Sequence, residues 1–171
     1  TLVSAGFDST AHLWNISNLG SPRALEGHKA PVYTLQFSPD GKWIASGSLD
    51  KAESLRLWDS KNGNVISKFG PISQHQMVAF SPDNQRLASG GASKGIRIWS
   101  LNDFSSQLEL GKDVIHNVEG LRFTRDGNSL ISADGDGIRL WDSQKGNLLK
   151  RANHPRGIFG LHYFNKDRGL A

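Results

Sequence analysis

The sequence predicts an all-β array of short antiparallel strands, and three observations predict it. The first is a recurring motif. Leu55-Arg56-Leu57-Trp58-Asp59 returns as Ile96-Arg97-Ile98-Trp99-Ser100 and as Ile138-Arg139-Leu140-Trp141-Asp142, with His12-Leu13-Trp14-Asn15 as a weaker fourth copy. The second is the period. Trp14, Trp58, Trp99 and Trp141 stand 44, 41 and 42 residues apart, the regular spacing that marks a repeat array. The third is that no stretch of helical periodicity and no linker of biased composition interrupts the chain.

Each element of the period follows in order. An alternating strand comes first, Val32-Tyr33-Thr34-Leu35-Gln36-Phe37, with apolar residues at Val32, Leu35 and Phe37. Its closing aromatic residue leads into a turn: Phe37-Ser38-Pro39-Asp40-Gly41, Phe80-Ser81-Pro82-Asp83-Asn84 and Phe123-Thr124-Arg125-Asp126-Gly127. Gly, Pro, Asp and Asn at these places supply the backbone angles a tight turn needs. A second strand of small and apolar residues follows, as in Ile44-Ala45-Ser46-Gly47-Ser48, Leu87-Ala88-Ser89-Gly90-Gly91 and Leu130-Ile131-Ser132-Ala133, with Leu2-Val3-Ser4-Ala5-Gly6 at the start of the chain. The tryptophan strand is third. Turns at Lys61-Asn62-Gly63-Asn64 and Gln144-Lys145-Gly146-Asn147 then lead into a fourth strand. On this pattern the 171 residues divide into a partial unit over 1–26, whole units over 27–69, 70–110 and 111–152, and a partial unit over 153–171 that holds a first strand, Ile158 to Tyr163.

The Gly27-His28 pair, the Ser38-Pro39-Asp40-Gly41 turn, the Ser46-Gly47-Ser48 strand and the terminal Trp58-Asp59 resemble the WD-repeat family, and the resemblance covers essentially the whole chain. It implies a β-propeller of four-stranded antiparallel blades, about four of them present. It also implies an expectation about length, because most propellers of this family have seven blades, or about 300 residues at this period. His28 to Phe37 and His154 to Tyr163 have the same spacing, which aligns Gly169-Leu170-Ala171 with Trp43-Ile44-Ala45, the positions Thr1-Leu2-Val3 also match. The chain is therefore expected to be a segment of a longer propeller. Closure of four blades into a ring, and self-association of two open arcs, are the alternatives.

Composition narrows the function. The chain lacks cysteine, which excludes disulfides, thiolate chemistry and cysteine-based zinc sites, and which fits a cytoplasmic or nucleocytoplasmic setting. No run of eighteen apolar residues is present to cross a membrane, and the first residues show no charged-then-apolar leader. Net charge is +4 and the pI is near 9.5. The basic residues are scattered, however, with Lys150-Arg151 as the one adjacent pair, and aromatic residues do not interleave with them. A solvated surface explains this better than a nucleic-acid face.

Chemistry-bearing residues point the same way. The resemblance implies a buried hydrogen-bond network in each blade, which in the unit from Gly27 falls on His28, Ser46, Asp50 and Trp58, with the indole N–H taken up by the aspartate. In that unit Asp50 and Trp58 are eight residues apart, against six for Asp8 and Trp14, an expansion that disturbs the pattern. The unit from Gly70 has Pro71 and Ser93 in the His and Asp places, so its network is expected to be absent. The unit from Gly111 keeps Ser132, Asp136 and Trp141. On ring closure, His154 would join Ser4, Asp8 and Trp14. A Ser, a His and an Asp in one unit suggest a hydrolytic triad, but the resemblance assigns them a structural role. Asp134-Gly135-Asp136-Gly137 begins like a calcium loop, yet the twelfth position is Lys145 instead of Glu, so a tight turn is the plainer reading. No His pair has metal-ligand spacing, and no glycine-rich phosphate loop is present, so no cofactor and no metal are expected.

What remains is surface. In the family, partners dock on the face that carries the loops before the first strand and between the second and third. Those positions include Phe7, Tyr33, Leu49, Gln76 and Phe159, with the insertion Lys51-Ala52-Glu53 as a second candidate. The expected function is a non-catalytic scaffold that holds other proteins, or domains of its own parent chain. A propeller-fold enzyme and an RNA- or anionic-surface binder are the alternatives.

Overall fold

The alternation of apolar and small residues in each unit folds into upright antiparallel sheets. The structure is a computed structural model and describes residues 1–18, 20–69, 77–92, 95–111 and 117–154. Pro71, Gln76, Ser93, Phe159 and the expected strand Ile158 to Tyr163 lie outside the described residues. Among the described residues, fifteen strands form three four-stranded sheets and one three-stranded sheet, all with neighbouring strands in chain order.

The first sheet contains β1 (Leu2–Ala5), β2 (Ala11–Trp14) and β3 (Arg23–Leu25). The second contains β4 (Val32–Phe37), β5 (Trp43–Ser48), β6 (Leu55–Asp59) and β7 (Val65–Phe69). The third is β8 (Met77–Phe80), β9 (Arg86–Gly90), β10 (Ile96–Ser100) and β11 (Ser106–Leu110). The fourth is β12 (Gly120–Phe123), β13 (Ser129–Asp134), β14 (Gly137–Asp142) and β15 (Leu148–Asn153). The sheets are propeller blades, and β4 adjoins both β1 and β8 while β8 adjoins β12. One departure from the sequence reading is a single 3-10 turn at Ile16–Asn18, whose start is held by the Asn15 side chain accepting from the Ser17 N–H.

The turns close as their residue types require. After the first strand, the Ser38 hydroxyl donates to Asp40, and Asp40 Oδ1 accepts from the Lys42 N–H, with Gly41 at φ +73°. Thr124 and Asp126 repeat this arrangement around Gly127 at φ +71°, and Asn84 supplies the left-handed residue in the blade between them at φ +60°. Gly and Asn tolerate this conformation best. The turn after the tryptophan strand uses Gly63 and Gly146, but in the third blade the equivalent residue is Phe104 at φ +59°. Phe104 is retained there through packing, its ring edge-on to Phe69 of the preceding blade.

The core lies between blades. Each strand is two-sided, so residues i and i+2 face one neighbouring blade and residues i+1 and i+3 face the other. Ala11, Leu13 and Leu25 of the first blade pack on Ile44 and Trp58 of the second. Ala45, Leu55, Leu57 and Phe69 pack on Leu87 and Trp99, and Ala88, Ile96, Ile98 and Leu110 pack on Leu130 and Trp141. In each seam, the tryptophan of one blade meets the outer-strand residue of the blade before it.

Candidate functional site

Every blade carries the same donor and acceptor, buried in the second, third and fourth blades and part-buried in the first. The indole N–H of Trp14 donates to Ser4 Oγ at 2.8 Å, Trp58 to Ser46 at 2.8 Å, Trp99 to Ser89 at 3.0 Å and Trp141 to Ser132 at 2.9 Å. The acceptor of the indole is thus the serine and not the aspartate expected from the resemblance. Strand pairing is the reason: the serine stands two residues along from the direct partner of the tryptophan, so both side chains emerge on one face. In the second blade His28 Nε2 lies 2.7 Å from Ser46 Oγ, and the His28 and Trp58 rings stand 6.0 Å apart. Burial, and then the nearby Arg56 charge, push the His28 pKa down to about 4, so the ring is neutral at pH 7.

Asp50 does not join this network. Its carboxylate accepts from the Lys29 and Ala52 N–H groups, and His28 Nδ1 is left buried without a partner. Burial raises the Asp50 pKa, but these backbone donors outweigh it and hold the carboxyl below its usual value. The expansion at Lys51-Ala52-Glu53 accounts for the difference. It turns Asp50 into the loop and brings Glu53 over the buried Arg56 guanidinium, which donates to Glu53 at 2.6 Å and to the Gly27 carbonyl at 2.7 Å. The insertion therefore supplies a counter-ion, and Lys68 adds to it at 3.2 Å. In the fourth blade Asp136 likewise faces Arg139 and Arg151, while buried Asp134 pairs with Arg139 and caps its own turn. His154 is exposed, with its N–H on the Asp136 carbonyl. A hydrolytic serine would need access to substrate, whereas Ser46 is fully buried beneath the Trp58 indole.

Sequence reasoning overlooked the arginine column. Arg56, Arg97 and Arg139 each precede a blade tryptophan by two residues, which puts both side chains on one face of the strand. The Arg56 and Arg97 guanidinium carbons lie 5.9 Å from the Trp58 and Trp99 ring centroids, and His12 stands 6.2 Å from Trp14 in the same place. Arg86 was also missed. It bridges two blades, donating to the Gly127 carbonyl at 2.8 Å, the Ser143 carbonyl at 3.0 Å and Ser143 Oγ at 2.9 Å, with its guanidinium over Phe123. Among the described residues, no group of three His, Asp or Glu side chains could hold a metal ion, and no helix is long and apolar enough to cross a membrane.

The face expected to dock partners has a defined construction at the first seam. Pairing between β4 and β5 skips one residue between Val32 and Thr34, a β-bulge that leaves Tyr33 as the extra residue and turns its side chain outward. Tyr33 is 45% exposed and Phe7, on the turn between β1 and β2, is 81% exposed. Their rings meet edge to face at 5.7 Å. Beside them a hollow of about 230 Å³ is lined by Ala5, Gly6, Phe7, Pro31, Val32 and Tyr33. Its floor is fixed from both blades: the Val32 N–H donates to the Gly6 carbonyl, and the Leu49 N–H to the Pro31 carbonyl. Leu49 is half-buried on the same face. A wider space of about 440 Å³ lies where the innermost strands meet, with Val3, Gln36, Met77, Glu119 and Arg122 among its lining residues.

The comparisons with known proteins bear on this architecture. The family model described as "WD domain, G-beta repeat" matches residues 20–59 and 74–100. The chain is similar to WD repeat-containing protein 82 of Drosophila melanogaster, 32% identical over 152 residues that make up 86% of this chain and 47% of that protein. It is 29% identical over 148 residues to small ribosomal subunit protein RACK1y of Oryza sativa subsp. japonica, 82% of this chain and 43% of the relative. To nuclear distribution protein nudF of Aspergillus niger it is 27% identical over 176 residues, 89% of this chain and 39% of the relative. The chain spans less than half the length of each of these relatives.

Proposed function

The chain belongs to the WD40-repeat family, and from that premise we propose that it is a non-catalytic interaction module that docks a partner protein on the face bearing Phe7, Tyr33 and Leu49. The observation that carries the reading is the exposed Phe7–Tyr33 pair over the apolar hollow at the first seam. Aromatic anchors beside a preformed pocket are where binding energy concentrates. A β-bulge is what presents Tyr33, and bulges commonly re-aim a side chain beside a functional surface. Both rings stand on backbone hydrogen-bonded across two blades, so little conformational freedom is lost when a partner binds. Gln76 and Phe159, candidates from their place in the repeat, lie outside the described residues. The partner is another protein or a further domain of the parent chain, and the setting is cytoplasm or nucleus, in keeping with the absence of cysteine and with the ribosomal and nuclear-distribution names of two relatives.

The test is a displayed library of random peptides enriched on the wild-type chain. Enriched peptides should lose binding to a Phe7→Ala/Tyr33→Ala double variant and keep binding to Val65→Ser, which alters an exposed residue of an outer strand. Equal binding to all three proteins would remove this face from the function.

A further inference from the structure

The repeat supplies an internal comparison for the seam between the third and fourth blades. At the seam before it, Trp43 of the second blade packs into the interblade core together with Leu101 and Phe104 of the third. By repeat position, the same three places one seam on hold Arg86, Ser143 and Gly146. Two rings and a leucine are exchanged for a guanidinium, a hydroxyl and no side chain. A hollow of about 490 Å³ opens beside Arg86 and Ser143. Its rim changes chemistry as well. Lys42, Lys61 and Ile66 of the second blade correspond to Gln85, Asn102 and Gln107 of the third, and Gln144 enters from the fourth. Among the described residues, none of these four side-chain amides has a hydrogen-bond partner. Charge is balanced: Asp83 stands 4.0 Å from Arg86, whose N–H groups otherwise go to uncharged oxygens of Gly127 and Ser143.

A sheet edge borders this hollow. Among the described residues, β11 is the outermost strand of its blade, so one side of its backbone pairs with no strand. Pairing between β10 and β11 skips Gln107, a bulge that sets this residue beside Leu108 at the hollow. The corresponding skips in the second and fourth blades fall on Ile66 and Leu149. We propose that the hollow binds an extended, uncharged polar peptide segment of a partner protein, laid along β11 as an added strand. A primary amide offers both a donor and an acceptor, the complement of a peptide group, a glutamine or a threonine. A charge-balanced hollow selects against a charged segment, whose own charge would be left uncompensated on burial. The unpaired backbone of β11 favours a peptide over a sugar, because it adds main-chain hydrogen bonds at the strand spacing. Consecutive strands are antiparallel, so the turns lining this hollow lie on the opposite face of the disc from Phe7 and Tyr33. The site is therefore separate from the docking face, and all its walls come from the third and fourth blades.

The experiment starts from a displayed library of random peptides enriched on a Phe7→Ala/Tyr33→Ala chain, so that the docking face contributes nothing to the result. Enriched peptides should be poor in charged residues, and their affinity should change less than about twofold between about 0.05 and 0.5 M salt. A Gln85→Lys/Gln107→Ile variant gives the third blade the residues that the second blade already carries at these places, and thermal melts verify that it folds. It should weaken those peptides at least about tenfold, the equivalent of two lost hydrogen bonds. Lys42→Gln, at the corresponding place in the second blade, should leave binding unchanged. Hydrogen exchange adds a readout that needs no variant at the hollow: bound peptide should slow exchange of the outward-facing amides of Ser106–Leu110. No enrichment, peptides that weaken steeply with salt, equal binding to the Gln85→Lys/Gln107→Ile variant, or unaltered exchange in β11 would each overturn the proposal.

Discussion

Replacing Ser46 with alanine isolates what the serine at the centre of the second blade contributes. Its hydroxyl is fully buried and has two side-chain partners, the Trp58 indole N–H at 2.8 Å and His28 Nε2 at 2.7 Å. Ser46→Ala removes one oxygen, leaves the shape almost unchanged and strands both partners. A buried polar group left unpaired costs roughly 1–3 kcal/mol, so the expected loss is about 2–5 kcal/mol. His28 has nowhere else to turn, since its Nδ1 is already without a partner. The third blade provides the control: Ser89 Oγ accepts from Trp99, and the His place there falls on Pro71. Ser89→Ala should cost about 1–3 kcal/mol, and the difference between the two variants measures the histidine contact. With a urea slope of roughly 2 kcal/mol/M, a gap of about 1–2 kcal/mol separates the midpoints by about 0.5–1 M. Urea titrations at one protein concentration, followed by tryptophan fluorescence, are the assay. Midpoints that coincide would refute the reasoning, because the His28–Ser46 bond would then add nothing to stability.

Three further outcomes follow from the same structure. Stability should fall as pH drops from 6.5 towards 4: His28 binds a proton readily when unfolded, at its ordinary 6.5, but in the fold only near 4, so the unfolded state holds more protons throughout that window. The loss at pH 5 relative to pH 7.5 is about 2 kcal/mol, and urea midpoints of a His28→Gln variant should be flatter over the interval. Asp40 and Asp126 do not confuse the test, since the Ser38 and Thr124 hydroxyls hold their carboxyls below the usual value. Arg86→Met should destabilise by about 2–4 kcal/mol, read from urea midpoints, because three acceptors at the seam of the third and fourth blades lose a charged donor. At position 104 the usual order should reverse. Phe104→Gly should be more stable than Phe104→Ala by about 1 kcal/mol in thermal melts, since glycine alone adopts the φ of +59° without strain.

The fold was legible because each blade repeats its information. The tryptophan period, the paired turn residues and the alternating strands all gave the same register, and the sheets follow it from β1 to β15. The site was legible only in part. Phe7, Tyr33 and Leu49 share a face, but the alternation from Val32 to Phe37 gave no sign that a bulge would push Tyr33 outward, because a bulge breaks the very period that predicts a strand. Asp50 was assigned to the network by its position. Its true partners are backbone N–H groups, and these depend on how the expanded turn through Lys51-Ala52-Glu53 folds, which spacing does not encode. Arg56, Arg97 and Arg139 stood in plain view inside the repeating motif. They went unread because arginine on a strand suggests solvent, whereas Arg56 and Arg139 are buried against carboxylates that come from neighbouring turns.

The tryptophan performs two tasks with opposite ends of its chemistry, and that ties blade to seam. Its N–H must find a buried acceptor, which it does within its own blade in Ser46, Ser89 or Ser132. Its ring must find apolar cover, which comes from the preceding blade through Leu25, Phe69 or Leu110. A blade that shifts to improve its seam would stretch its own hydrogen bond, and a blade that tightens its hydrogen bond fixes where the seam can form. Neighbouring blades are thereby held in a common register, as expected of a repeat array whose units are stabilised through their interfaces. Trp14 has the first half of this arrangement, a 2.8 Å bond to Ser4, without the burial that the other three tryptophans share. The ring of Trp14 is the place in the chain where the repeat's own logic calls for another blade.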